Sequence, residues 1–69
     1  MITMKQIGEN MKYIRESKKI SVYTIEKEIG ISHQNLYEYE KGKREPSIMQ
    51  CIKLSKYYGI DLNSLIFFE

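Results

Sequence analysis

An all-α domain of five short helices is predicted by three features of this 69-residue chain. Residues with a side-chain oxygen recur ahead of apolar runs: Thr3, Ser21, Ser32, Ser47 and Asp61 each stand where that oxygen can accept from the first free backbone amides of a helix. Glycines close the runs at Gly30, Gly42 and Gly59. No segment sustains the alternation of apolar and polar residues that a strand requires.

The first helix is predicted from about Met4 to Ser17. Thr3 with Gln6 makes a capping-box pattern, and Ile7, Met11 and Ile14 follow at helical spacing as one apolar stripe. Ser21 caps the second helix, which carries Val22, Ile25 and Ile29 on one face and ends at Gly30; Ile20, just before the cap, is placed to staple onto Ile25. Ser32 caps the third helix in the same way, with Ile31 placed to staple onto Leu36 and Gly42 able to turn left-handed at the far end. Pro46 and Ser47 punctuate the chain again. Ser47 with Gln50 repeats the capping box ahead of Ile48, Cys51, Leu54, Ser55 and Tyr58, a fourth helix stopped by Gly59. Asp61 then caps a short fifth helix bearing Leu62, Leu65 and Ile66, with Ile60 and Leu65 as a third staple pair. No stretch is long enough to be a linker, so residues 1–69 are expected to form a single domain.

Composition narrows the function. The lone Cys51 excludes an internal disulfide, and with His33 as the single histidine no zinc ligand set can be assembled; no metal or cofactor is expected. The longest apolar run, Leu65 to Phe68, falls far short of the roughly 20 residues that span a bilayer. The N-terminal residues show no basic-then-apolar signal pattern. Both observations predict a cytoplasmic protein without membrane contact. So short a chain leaves little room for a catalytic cleft. Ser32, His33 and Glu38 crowd one surface helix with no oxyanion site beside them, so neither enzyme activity nor a small-molecule substrate is expected.

A net charge of +2 is too small to argue for nucleic acid by itself, but its distribution is uneven. Lys41, Lys43 and Arg44 cluster just after the third helix, whereas Glu26, Glu28, Glu38 and Glu40 lie in or near the two helices before them. From Ile29 to Gly42 a tight glycine turn leads into a capped helix and then a basic loop. This is the pattern of the second half of a helix-turn-helix, a device that lays one helix in the DNA major groove.

Three segments extend that pattern: Ile29-Gly30-Ile31-Ser32, Tyr39-Glu40-Lys41-Gly42-Lys43-Arg44-Glu45-Pro46-Ser47, and Tyr58-Gly59-Ile60-Asp61-Leu62-Asn63-Ser64-Leu65-Ile66. In their order and spacing the chain resembles the lambda-repressor-like family of helix-turn-helix DNA-binding proteins, the Cro/repressor or XRE type, over nearly its whole length. The resemblance implies a compact five-helix DNA-binding domain with the helix-turn-helix at helices 2 and 3, encoded by a bacterium or phage and associated with the nucleoid. Arg15 and Glu40 match a pair that forms a partly buried salt bridge in several members. Three positions depart from the pattern. Val22 stands where the family usually has a glutamine that touches a phosphate, Glu26 where it prefers alanine at the close approach of helices 2 and 3, and Glu38 where many members carry a basic or amide side chain.

If the third helix enters the groove, Leu36 and Tyr39 must face the core, which turns Ser32, His33, Gln34, Tyr37 and Glu38 outward. His33, Gln34, Tyr37 and Glu38 are the expected base contacts. Gln34 suits adenine, Glu38 the cytosine amino group and Tyr37 a thymine methyl, while the role of His33 is open. The helix has no arginine or lysine before Lys41, so the commonest guanine contact is missing and A·T-rich half-sites are expected. Phosphate contacts are expected from Ser21, Ser32, Asn35, Lys41, Lys43 and Arg44. The cationic loop also has an ordinary reading as a solvated connection, and Tyr13, Tyr23 and Tyr57 read as amphipathic packing.

One such domain reads few base pairs, so a homodimer on a two-fold operator is expected. Its interface is assigned to the apolar tail 65–69 through Leu65, Ile66, Phe67 and Phe68; the competing reading folds these side chains back over the monomer core. The principal function is a sequence-specific regulator of transcription that binds double-stranded DNA, most simply a repressor. The alternative is a protein-interaction module of the same fold with weakened DNA binding, for which Val22, Glu26 and Glu38 argue.

Overall fold

Every helix starts on the residue after an oxygen-bearing cap. A computed structural model describes residues 2–67, and within them the helices are α1 (Met4–Ser17), α2 (Val22–Ile29), α3 (His33–Glu40), α4 (Ile48–Tyr58) and α5 (Leu62–Phe67), with no strand among the described residues. At Thr3 both arms of the capping box form: its hydroxyl accepts from the Gln6 amide and its own amide donates to the Gln6 side chain. The Ser21, Ser32 and Ser47 hydroxyls accept from the amides of Thr24, Asn35 and Gln50. The Asp61 carboxylate accepts from Ser64 at 2.7 Å, and that bond holds its pKa below the ordinary carboxylate value. Helix α1 ends without a glycine. Lys19 instead takes the left-handed conformation, φ 56°, which a β-carbon makes costly.

The apolar stripes meet in one core. Met11 and Ile14 of α1, Val22 and Ile25 of α2, Ile31, Leu36 and Tyr39 at the turn and in α3, Cys51, Leu54 and Tyr58 of α4, and Leu65 of α5 are all buried. Ile20 and Ile60, which precede the caps of α2 and α5, pack against the same cluster. Helix α1 is the central support, touching both α3 and α5. At Gly8 the approach of α1 to α3 is so close that a β-carbon would lie 2.2 Å from the Tyr39 carbonyl oxygen. Asn10 ties α1 to the chain end by donating to the Ile66 carbonyl at 2.7 Å.

Ile48 is 59% exposed, because as the first residue of α4 it lies a turn outside the core that Cys51 and Leu54 enter. One expectation requires correction. Leu65 is 0% exposed within a single chain, so it serves the monomer core and has no surface left for a second copy. Among the described tail residues Ile66 is half-buried and Phe67 is 55% exposed; Phe68 lies outside the described residues. No helix among the described residues is long and apolar enough to cross a membrane.

Candidate nucleic-acid interface

Helices α2 and α3 are joined by Gly30, Ile31 and Ser32. Gly30 has φ 78° and open space where a β-carbon would stand, so glycine is needed for the backbone conformation and not for room. Ile31 is buried and anchors the turn, and Ser32 caps α3. With Leu36, Tyr39 and Glu40 buried, α3 turns Gln34 and Tyr37 to the surface and leaves His33 and Glu38 half-exposed beside them.

An ion pair at one end and a carboxylate–imidazole hydrogen bond at the other hold α3 in place. At its C-terminal end Glu40 meets Arg15 of α1, Nε to Oε2 at 2.7 Å, with the two side chains 11% and 3% exposed for Arg15 and Glu40. At its N-terminal end the His33 Nδ1 lies 2.9 Å from Glu26 Oε1 of α2, and the His33 ring packs on Tyr23 with centroids 4.7 Å apart. A carboxylate at the close approach of these helices would be costly if sealed in apolar surroundings. Glu26 avoids that cost by remaining partly exposed and gaining the imidazole as a partner.

The basic loop is folded against the end of α3. Gly42, φ 74°, donates to the Tyr39 carbonyl at 3.1 Å, and Lys43 donates to the Glu38 carbonyl at 2.9 Å. A β-carbon on Gly42 would come within 2.8 Å of the Lys5 Cα, so the loop is also pressed against the start of α1. The cations of the loop are not equivalent. Arg44 Nε donates to Glu38 Oε1 at 2.8 Å, and that hydrogen bond raises the guanidinium pKa further. Lys41 Nζ stands 5.9 Å from the centre of the Tyr37 ring. Lys43 and Lys41 are exposed.

Of the expected site residues, the structure places His33, Gln34, Tyr37 and Glu38 along one side of α3, with Lys41, Lys43 and Arg44 just past its end. Ser32 and Asn35 form the first turn of α3, joined by the cap hydrogen bond. Ser21 caps α2 and shares a 3.2 Å hydroxyl contact with Thr24. Val22 is buried, so it offers nothing to a phosphate. Sequence reasoning missed the Glu26–His33 and Glu38–Arg44 pairs. Their separations of seven and six residues cross a turn and a loop, where helical spacing gives no guide.

A family profile described as helix-turn-helix matches residues 11–65, and the chain belongs to that family. Among curated proteins it is 29% identical over 59 residues to an uncharacterized HTH-type transcriptional regulator of Methanocaldococcus jannaschii, covering 86% of this chain and 89% of that one. It is 36% identical over 59 residues to the SPbeta prophage-derived uncharacterized HTH-type transcriptional regulator YonR of Bacillus subtilis, covering 86% of this chain and 55% of that protein. Among solved structures the BldD DNA-binding domain of S. venezulae superposes with a TM-score of 0.82 at 26% identity, covering 91% of this chain and 94% of that one. The likeness to the repressor-type helix-turn-helix fold, drawn from residue pattern, is thereby borne out.

Proposed function

We propose that this chain is a sequence-specific regulator of transcription that binds double-stranded DNA and acts as a repressor from the cytoplasm. The observation that carries the reading is the open side of α3: Gln34 and Tyr37 stand exposed on a helix braced at both ends, with Lys41 and Lys43 exposed just beyond it. In this reading α3 lies in the major groove. Gln34 pairs with adenine, Tyr37 packs on a thymine methyl, and Glu38 and His33 reach the neighbouring base edges. Lys41, Lys43, Arg44, Ser21, Ser32 and Asn35 hold the flanking phosphates. The operator is two-fold with A·T-rich half-sites and is bound by a homodimer whose remaining apolar surface includes Ile66 and Phe67.

Selection of bound sequences from a random DNA pool tests the proposal. Two-fold, A·T-rich sites support it; guanine-dominated half-sites, or no salt-dependent binding, overturn it. Burial of Val22 and the pairing of Arg44 with Glu38 favour a second reading, an interaction module with weakened DNA affinity. Fluorescence anisotropy on mixed-sequence duplex at low salt separates the two, since such a module shows no salt-sensitive binding.

A further inference from the structure

We infer that Glu26 is a positioning residue for DNA recognition, acting through His33, and this rests on the proposal that α3 reads base edges. The Glu26 carboxylate lies 2.9 Å from His33 Nδ1. An ionised carboxylate can only accept, so this contact places the ring proton on Nδ1. In a neutral imidazole Nε2 is then an acceptor, and it is the ring nitrogen left for DNA. An acceptor at the start of α3 suits the exocyclic amino group of adenine or cytosine and not the oxygens of guanine or thymine.

Tyr23 completes the arrangement. Its ring lies 4.7 Å from the imidazole at an interplanar angle of 35°, so a second residue of α2 limits rotation of the ring. Without the carboxylate, imidazole flips and tautomers become nearly equivalent, and His33 presents donor, acceptor or carbon edge without preference. An acidic side chain near phosphates weakens attraction to every sequence alike. At Glu26 that loss is set against a gain in discrimination at one base pair.

The test uses the full chain at about pH 8, above the ordinary histidine range, and the duplex selected by the wild type with single-base changes at each position. Glu26→Ala, Glu26→Gln, His33→Ala and the Glu26→Ala/His33→Ala double variant are compared by anisotropy, with circular dichroism to establish that each is folded. Glu26→Ala is expected to reduce discrimination at one base pair about five- to tenfold. Glu26→Gln is expected to fall between the wild type and Glu26→Ala, because its amide carbonyl can accept from Nδ1–H but its NH2 can instead donate to a bare Nδ1. In the His33→Ala background, Glu26→Ala costs nothing further. Additive losses, equal behaviour of the two Glu26 variants, or uniform tightening on every duplex each overturn the role of Glu26 while leaving DNA recognition standing. A wild-type chain that binds no duplex overturns both.

Discussion

Arg15 grips Glu40 with two parallel hydrogen bonds, Nε to Oε2 at 2.7 Å and Nη2 to Oε1 at 3.0 Å, while its Nη1 donates to the Ile20 carbonyl at 2.9 Å. One guanidinium thus joins α1, the turn into α2 and the end of α3. The Glu40 hydrogen bond raises the Arg15 pKa further, so the cation persists at every accessible pH. Removing Glu40 leaves that cation largely enclosed without a counter-charge. Glu40→Ala is expected to cost about 3–5 kcal/mol, a large share of the stability of so small a domain. Urea unfolding measures it, and an unchanged midpoint would show the pair to be energetically idle. Replacing both residues by apolar ones of similar volume should restore most of the loss.

Alkaline pH is expected to loosen the fold through Tyr58. Burial, reinforced by the nearby Glu40 carboxylate, raises its phenol pKa well above the ordinary value of 10.0. A group whose pKa is raised by folding contributes fully below its unfolded pKa and loses that contribution as pH rises toward the folded one. Stability should therefore fall above about pH 10. Cys51, raised by burial above 9.0, adds to the decline slightly earlier, and Tyr57, raised by its hydrogen bond to Glu28, adds to it alongside Tyr58. Thermal melts from neutral to strongly alkaline pH check the sign, and Tyr58→Phe should flatten the decline.

Gly8→Ala sets two effects against each other. Alanine improves helix propensity by about 1 kcal/mol. The new β-carbon, however, would stand 2.2 Å from the Tyr39 carbonyl oxygen and 2.7 Å from that of Glu40, and backbone atoms cannot swing aside as a flexible side chain does. Forcing α1 away from α3 should cost about 1–3 kcal/mol beyond the propensity gain. A melting temperature lowered by several degrees is the expected result. A rise would mean that the helices part at no cost.

Glu38→Gln should tighten DNA binding on mixed-sequence duplex, where no base contact of Glu38 is at stake. The substitution releases Arg44 from its 2.8 Å ion pair and removes a negative charge beside the phosphates. The slope of log affinity against log salt should steepen by about one unit, and Lys43→Ala should lessen it by a similar amount. Anisotropy titrations at several salt concentrations measure both. An unchanged slope for Glu38→Gln would show that Arg44 does not reach the backbone.

Helix boundaries are legible because caps are local: an oxygen at Thr3, Ser21, Ser32, Ser47 or Asp61 needs only the amide three residues on. The turn at Gly30 is legible for the same reason. What escaped depends on distance in space. The closeness at Gly8 is a property of two helices whose crossing no single segment specifies. Glu26 looked like a burden until His33 was placed beside it across the turn. Sequence alone points Leu65 to a dimer contact, because an apolar side chain carries no mark of whether the surface it covers belongs to its own chain. In the same way Ile48 continued the helical period but lay beyond the volume that α4 shares with the rest.

The sealed position of Cys51 has a practical consequence. Its sulfur sits among the side chains that fill the interior, and enclosure disfavours the thiolate through which cysteines react. A cysteine introduced at an exposed site outside the DNA-contacting set, such as Lys27 of α2, could therefore be alkylated with a fluorophore or spin label while the native thiol stays untouched. The wild-type chain already supplies the silent background for following the helix-turn-helix as it approaches a duplex.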